Sequence, residues 1–159
     1  MCRILKLNYL NLRTITTSSI MPFVKIDVIR GRRSPEQLKK MGDVIQQVLI
    51  DTFAAPERDR YQACELYPSF IQMHQHEPWE VICWDTGLGF ERTDDIVSIH
   101  IFAQGRNRDQ KMAMYAALGE RLEKECGLKG NDLLISVTPN AKEDWSFGYG
   151  RAQFLTGEL

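Results

Sequence analysis

The chain has 159 residues and a formal net charge of −1, a length suited to one domain or two small fused units. Its 43% hydrophobic content supplies a packed core, and its 26% charged content is ordinary for a soluble protein. Beyond residue 20 the balance is 17 basic against 21 acidic side chains, which argues against a nucleic-acid partner because phosphate binding needs a concentrated positive face, and no apolar run approaches the ~20 residues of a membrane span.

Residues 1–20 carry Arg3, Lys6 and Arg13, no acid, and many Ser and Thr. That is the composition of a transit peptide. It also fits an overlong gene start, and the expectation taken here is that residues 1–20 are a non-native leader or misassigned start, with translation from Met21. Removal of Met21 would leave Pro22 as a free secondary amine at the head of the chain. A terminal amine has a reference pKa near ~8, much closer to neutrality than a lysine.

From Pro22 onward the chain reads as one domain, 22–159, built from two β-α-β units (22–67 and 95–139), a connecting segment (68–94) and a tail (140–159). The first strand is Phe23–Ile29, with Val24, Ile26 and Val28 on one face. Arg30-Gly31-Arg32-Arg33 leads to a helix with Ser34 as N-cap, Pro35 at the first position and Gln37 three residues on from Ser34. Leu38, Met41, Ile45 and Val48 form its stripe. The helix ends near Ala54-Ala55-Pro56, and a turn, Glu57-Arg58-Asp59-Arg60, leads to a second strand expected from about Tyr61 to Leu66.

The second unit repeats this order. Val97, Ile99 and Ile101 share a face of the strand Asp95–Phe102. Gln104-Gly105-Arg106-Asn107-Arg108 then enters a helix with Met112, Tyr115, Gly119, Leu122 and Cys126 as its expected stripe. Gly127 stops the helix, and Leu133–Thr138 is the closing strand. Each unit is thus strand, Gly-Arg turn, helix, strand. A helical crossover makes the two strands of a unit parallel and the connection right-handed. The expected fold class is α+β: tandem β-α-β units forming a four-stranded sheet, two helices on one face, and a C-terminal hairpin in the glycine-paired tail.

Cys2, Cys64, Cys83 and Cys126 have no CxxC spacing and read as reduced, structural thiols of a cytoplasmic protein. His74, His76 and His100 make no zinc set, and no metal is expected. His74 and His76, two residues apart, would share a strand face. Neither Gly87-Leu88-Gly89 nor Gly148-Tyr149-Gly150 continues into a phosphate-binding motif, so both read as turns.

Three positions carry chemistry. Arg106 and Arg108 follow a strand and precede a helix N-terminus, a good carboxylate clamp or else a solvated basic turn. Arg32 and Arg33, their repeat equivalents, lie at the end of the first strand far from Pro22 and read as surface charges. Asp59, between Arg58 and Arg60, is either a screened ion pair or a carboxylate near Pro22 that orients water or moves a proton. On the residues alone, Trp145, Phe147 and Phe154 read as packing.

These pieces together resemble the tautomerase superfamily, and within it malonate semialdehyde decarboxylase and its close relatives. The resemblance spans Pro22 to Leu159. It is most specific in Pro56-Glu57-Arg58-Asp59-Arg60-Tyr61-Gln62, in Asp85-Thr86-Gly87-Leu88-Gly89-Phe90, and in the tail from Asp144-Trp145-Ser146-Phe147-Gly148 to Thr156-Gly157. It implies a homotrimer acting without cofactor or metal on a small carboxylate-bearing substrate, with no nucleic-acid or membrane partner. It also implies a catalytic terminal proline at Pro22, a catalytic aspartate at Asp59, substrate-binding arginines at Arg106 and Arg108, and an apolar wall of Trp145, Phe147, Phe154 and Leu159. Phe70–Cys83 looks longer than in that family, and a retained leader would remove the free amine. The implied reaction is decarboxylation of a 3-oxo acid. Keto–enol tautomerisation, or hydration and dehalogenation of an unsaturated acid, uses the same groups. A non-catalytic trimeric binding protein with a blocked terminus is the reading of another class.

Overall fold

The computed structural model describes residues 22–55, 62–63, 71–81 and 87–159. Its elements are β1 (Phe23–Ile29), α1 (Pro35–Phe53), β2 (Gln62–Ala63), β3 (Ile71–His76), β4 (Val97–Gln104), α2 (Arg108–Cys126), β5 (Leu133–Asn140) and a short α3 (Gln153–Thr156). One mixed sheet runs in the order β2-β3-β1-β4-β5. β1 pairs parallel with β3 and β4 parallel with β5, and β1 and β4 meet antiparallel at the centre. The four long strands and two helices are those expected of tandem β-α-β units, and β2 adds a two-residue edge.

Alternation makes the sheet two-faced. Val24, Ile26, Val28, Ile71, Val97, Ile99 and Ile101 are all at most 4% exposed and face the helices. α1 covers them with Met41, Ile45, Val48, Leu49 and Phe53, and α2 with Met114, Leu118 and Leu122. Each such side chain removed from water contributes roughly 1.5–3 kcal/mol, so this single layer is the main source of stability. On the other face lie Phe23, Lys25, Asp27, His74, His76, His100 and Phe102, which no helix of the described residues covers.

Both helices start on a reciprocal cap. The Gln37 N–H donates to Ser34 Oγ (3.3 Å) and the Ser34 N–H to Gln37 Oε1 (2.8 Å). The Gln110 N–H donates to Asn107 Oδ1 (2.9 Å) and the Asn107 N–H to Gln110 Oε1 (3.1 Å). Each satisfies two of the donors that a helix start leaves over. α2 ends at Gly127 in the left-handed conformation (φ 69°), where the glycine stop was expected.

Two expectations are corrected. The strand parallel to β1 is β3 at Ile71–His76, not a strand over Tyr61–Leu66. Of that stretch the structure describes Gln62–Ala63, a strand paired to β3 at the edge. A six-residue ladder from Val24–Ile71 to Ile29–His76 closes β1 and sets Ile71 in the core. In α2 the expected Leu122 is buried, and Met114 and Leu118 join it on the inward stripe, whereas Met112 is 59% exposed and Tyr115 36%. Packing against α1 decides that rotation. The tail hairpin is one antiparallel bridge, Gly148–Arg151, around Tyr149 and Gly150, followed by α3. No helix among the described residues is long and apolar enough to cross a membrane.

Candidate active site

Pro22 is buried, immediately ahead of β1. Phe23 pairs with Phe102 of the antiparallel β4, so the head of β1 lies beside the end of β4. That strand runs on through buried Ala103 and Gln104 to Gly105, whose φ of +58° favours a residue without Cβ. The turn folds Arg106 back on the strand end, where its Nη1 donates to the Gln104 carbonyl at 3.0 Å. The guanidinium carbon lies 5.3 Å from the centroid of the Phe53 ring, at the end of α1. Burial pushes the Arg106 pKa down from its ordinary value, yet an arginine stays charged in any accessible pH range. A desolvated cation on an apolar ring attracts an anion strongly, because little water screens it.

Arg108 is the first residue of α2 and is exposed. Asn107, the cap, stands between the two arginines. Arg106 and Arg108 thus flank a helix N-terminus whose orphan N–H groups and dipole also favour negative charge. Both arginines lie at the end of the sheet where Pro22 lies.

The tail leaves the sheet at this same end, since Asn140 of β5 is in register with Gln104. Trp145 and Phe147 stack with centroids 5.5 Å apart, and Phe154 meets Phe147 edge-on at 5.3 Å. Gln153, buried, staples this cluster: it accepts from the Phe147 N–H (3.0 Å) and donates to the Gly148 carbonyl (2.9 Å). Asn140 Oδ1 and Trp145 Nε1 are buried without a hydrogen-bond partner among the described residues. Leu159 is 64% exposed. Asp59 lies outside the described residues. Sequence reading did not single out Phe53, Gln104 or Gln153. Their signal is positional: an aromatic at the last turn of α1, and amides at a strand end and in an apolar tail.

Two family models, both described as a tautomerase enzyme, match residues 22–65 and 69–148. The chain is 42% identical over 139 residues to the probable tautomerase YrdN of Bacillus subtilis (strain 168), covering 87% of this chain and all of that protein. This chain belongs to the tautomerase superfamily. It is an enzyme of that superfamily by the same likeness. Among solved structures it is similar to malonate semialdehyde decarboxylase, at 34% identity and a TM-score of 0.73, covering 86% of this chain and 98% of that one. A fused 4-OT asymmetric trimer, at 16% identity and a TM-score of 0.63 over 84% and 98% of the two chains, shares the fold.

Proposed function

We propose that this tautomerase-superfamily enzyme decarboxylates a small 3-oxo acid, such as malonate semialdehyde, using Pro22 as a free N-terminal amine. The observation that carries the reading is the placement of buried Pro22 beside the strand end from which half-buried Arg106 folds back. The 34% identity to malonate semialdehyde decarboxylase over almost all of that chain supports it. A terminus at Pro22 is supported by the family match that begins at residue 22.

Arg106 and Arg108 hold the substrate carboxylate and turn it out of the plane of the carbonyl. The cationic Pro22 amine, or a Schiff base formed from it, polarises the aldehyde. The bond from the carboxylate carbon to C2 breaks, and its electron pair moves toward the polarised carbonyl as carbon dioxide departs. A proton is then added at C2, giving acetaldehyde. Trp145, Phe147, Phe154 and Leu159 form the apolar wall that favours loss of charge. Asp59 positions Pro22 or water and raises the amine's pKa, which the arginines lower. The working molecule is the body 22–159 as a cytoplasmic homotrimer, in which another chain covers the helix-free sheet face and pairs Asn140 and Trp145.

Intact mass of the native protein tests the first requirement: a chain that retains residues 1–20 sinks every Pro22 mechanism. Incubation of the processed chain with malonate semialdehyde should then release carbon dioxide, and Pro22→Ala should abolish this. The second reading, a keto–enol tautomerase, is favoured by the higher identity to a probable tautomerase. Turnover of phenylpyruvate enol with an inert malonate semialdehyde would select it.

A further inference from the structure

The two ends of the sheet are built alike. Arg33 directly precedes the N-cap of α1, as Arg106 precedes that of α2, and both helices are 19 residues long. Both guanidiniums are half-buried. Each donates to a backbone carbonyl, Arg33 Nη2 to Asp95 at 2.6 Å and Arg106 Nη1 to Gln104 at 3.0 Å. Burial pushes both pKa values down.

A cavity of about 320 Å³ opens at the Arg33 end, walled by Arg32, Arg33, Gln37, Lys40, Asp95 and Cys126. That lies at the lower end of the roughly 300–1,000 Å³ of small-molecule sites. Its acids are engaged: Asp95 with Arg32 at 2.9 Å, and Glu125 with Arg121 at 2.7 Å. Lys40 makes no ion pair among the described residues, and Arg33 Nη1 is buried without a hydrogen-bond partner. The surplus charge in the cavity is therefore positive. The carbonyl end of α2 opposes an anion there, but the Glu123 and Leu122 carbonyls are taken by the Gly127 and Leu128 N–H groups.

One component of the first site is missing. Where Pro22 heads β1, Ile96 precedes β4. Ile96 is 3% exposed, and its N–H is an ordinary amide donating to the Thr93 carbonyl at 3.2 Å. This end of the sheet therefore has no amine at a strand head.

We propose that this cavity is a second site for a small carboxylate, held by Arg33 and Lys40, which binds without reacting. It rests on the geometry of the cavity and not on the reaction assigned to Pro22.

Cys126 on the cavity wall is a built-in reporter. Iodoacetate and iodoacetamide both alkylate a thiolate with loss of iodide, but only iodoacetate carries the carboxylate. Labelling of Cys126 is followed by peptide mass, and the ratio of the two rates cancels thiol pKa and access. The ratio should fall about ten-fold in Arg33→Gln and several-fold in Lys40→Gln. Lys40 is exposed on α1, so that change leaves folding intact. Acetate should slow iodoacetate and not iodoacetamide. Pro22→Ala should keep the wild-type ratio, which separates this site from the first. A ratio unchanged in both charge variants, or an acetate effect equal for both reagents, overturns the proposal.

Discussion

Arg106 carries its charge in a half-buried position, on the Phe53 ring and the Gln104 carbonyl. Arg106→Met should lower kcat/KM about ten- to a hundred-fold, the worth of a hydrogen bond to a charged group. A large drop in melting temperature would make the residue structural. Arg108→Ala should raise KM and lower kcat, and unchanged kinetics would return it to a solvated turn. Asp95 lies at the other end of the sheet. The hydrogen bond from Arg32 holds its carboxyl below the usual carboxylate range. A depressed folded-state pKa contributes stability above the unfolded value, near ~3.9, and this is lost as pH falls through the folded value. Asp95→Asn should melt below wild type at pH 7, with the gap closing in acid. A gap that persists at pH 2 would exclude the ion pair as its cause. The effect is small, because both side chains are largely exposed.

The two helix starts are alike in structure and unlike in consequence. Ser34 and Asn107 each close a reciprocal cap, and replacing either by Ala should cost about 1 kcal/mol. In a domain of this size that is about 3 °C in Tm. Only Asn107 stands between Arg106 and Arg108. Asn107→Ala should lower kcat/KM as well, whereas Ser34→Ala should not. Equal losses of activity in the two variants would break the assignment of the α2 start to the site. Such caps were legible because they depend on residues three apart. The same locality made β1 and the Gly127 stop readable. β3 was not, since Ile71-Gln72-Met73-His74-Gln75-His76 has two apolar residues among four polar ones. It is a strand because β1 offers it a ladder. The rotation of α2 was misread for a related reason. Met112 and Tyr115 form as good a stripe on paper as Met114, Leu118 and Leu122, and contact with α1 selects between them.

Across the described residues, helices pack on one sheet face and none on the other. Phe23 and Phe102 lie 5.6 Å apart there, and His100 stacks on Phe102 at 4.6 Å. Aromatic side chains on a sheet face suit an interface, which is the physical ground for the proposed trimer. Sedimentation should give the mass of three chains. Phe102→Glu should shift it to smaller species and reduce activity, since a charge there cannot be desolvated cheaply. A trimer unaffected by that change would place the interface elsewhere. The likeness of the two units also reaches the whole molecule: it gives two arginine-bearing sheet ends, of which one has a proline head and the other an internal amide.

By itself, the sequence determined the α+β class, the doubled unit, the core face of β1 and β4, and the pair Arg106 and Arg108 beside a helix start. Those follow from period, spacing and cap chemistry, which act over a few residues. Only the tertiary structure decided which strand closes β1 and which face α2 turns inward. It also decided that the Arg106 guanidinium rests on Phe53, and that Arg33, read as a surface charge, is half-buried in a cavity. Each of these depends on what lies opposite in space, and one chain's local pattern does not contain that.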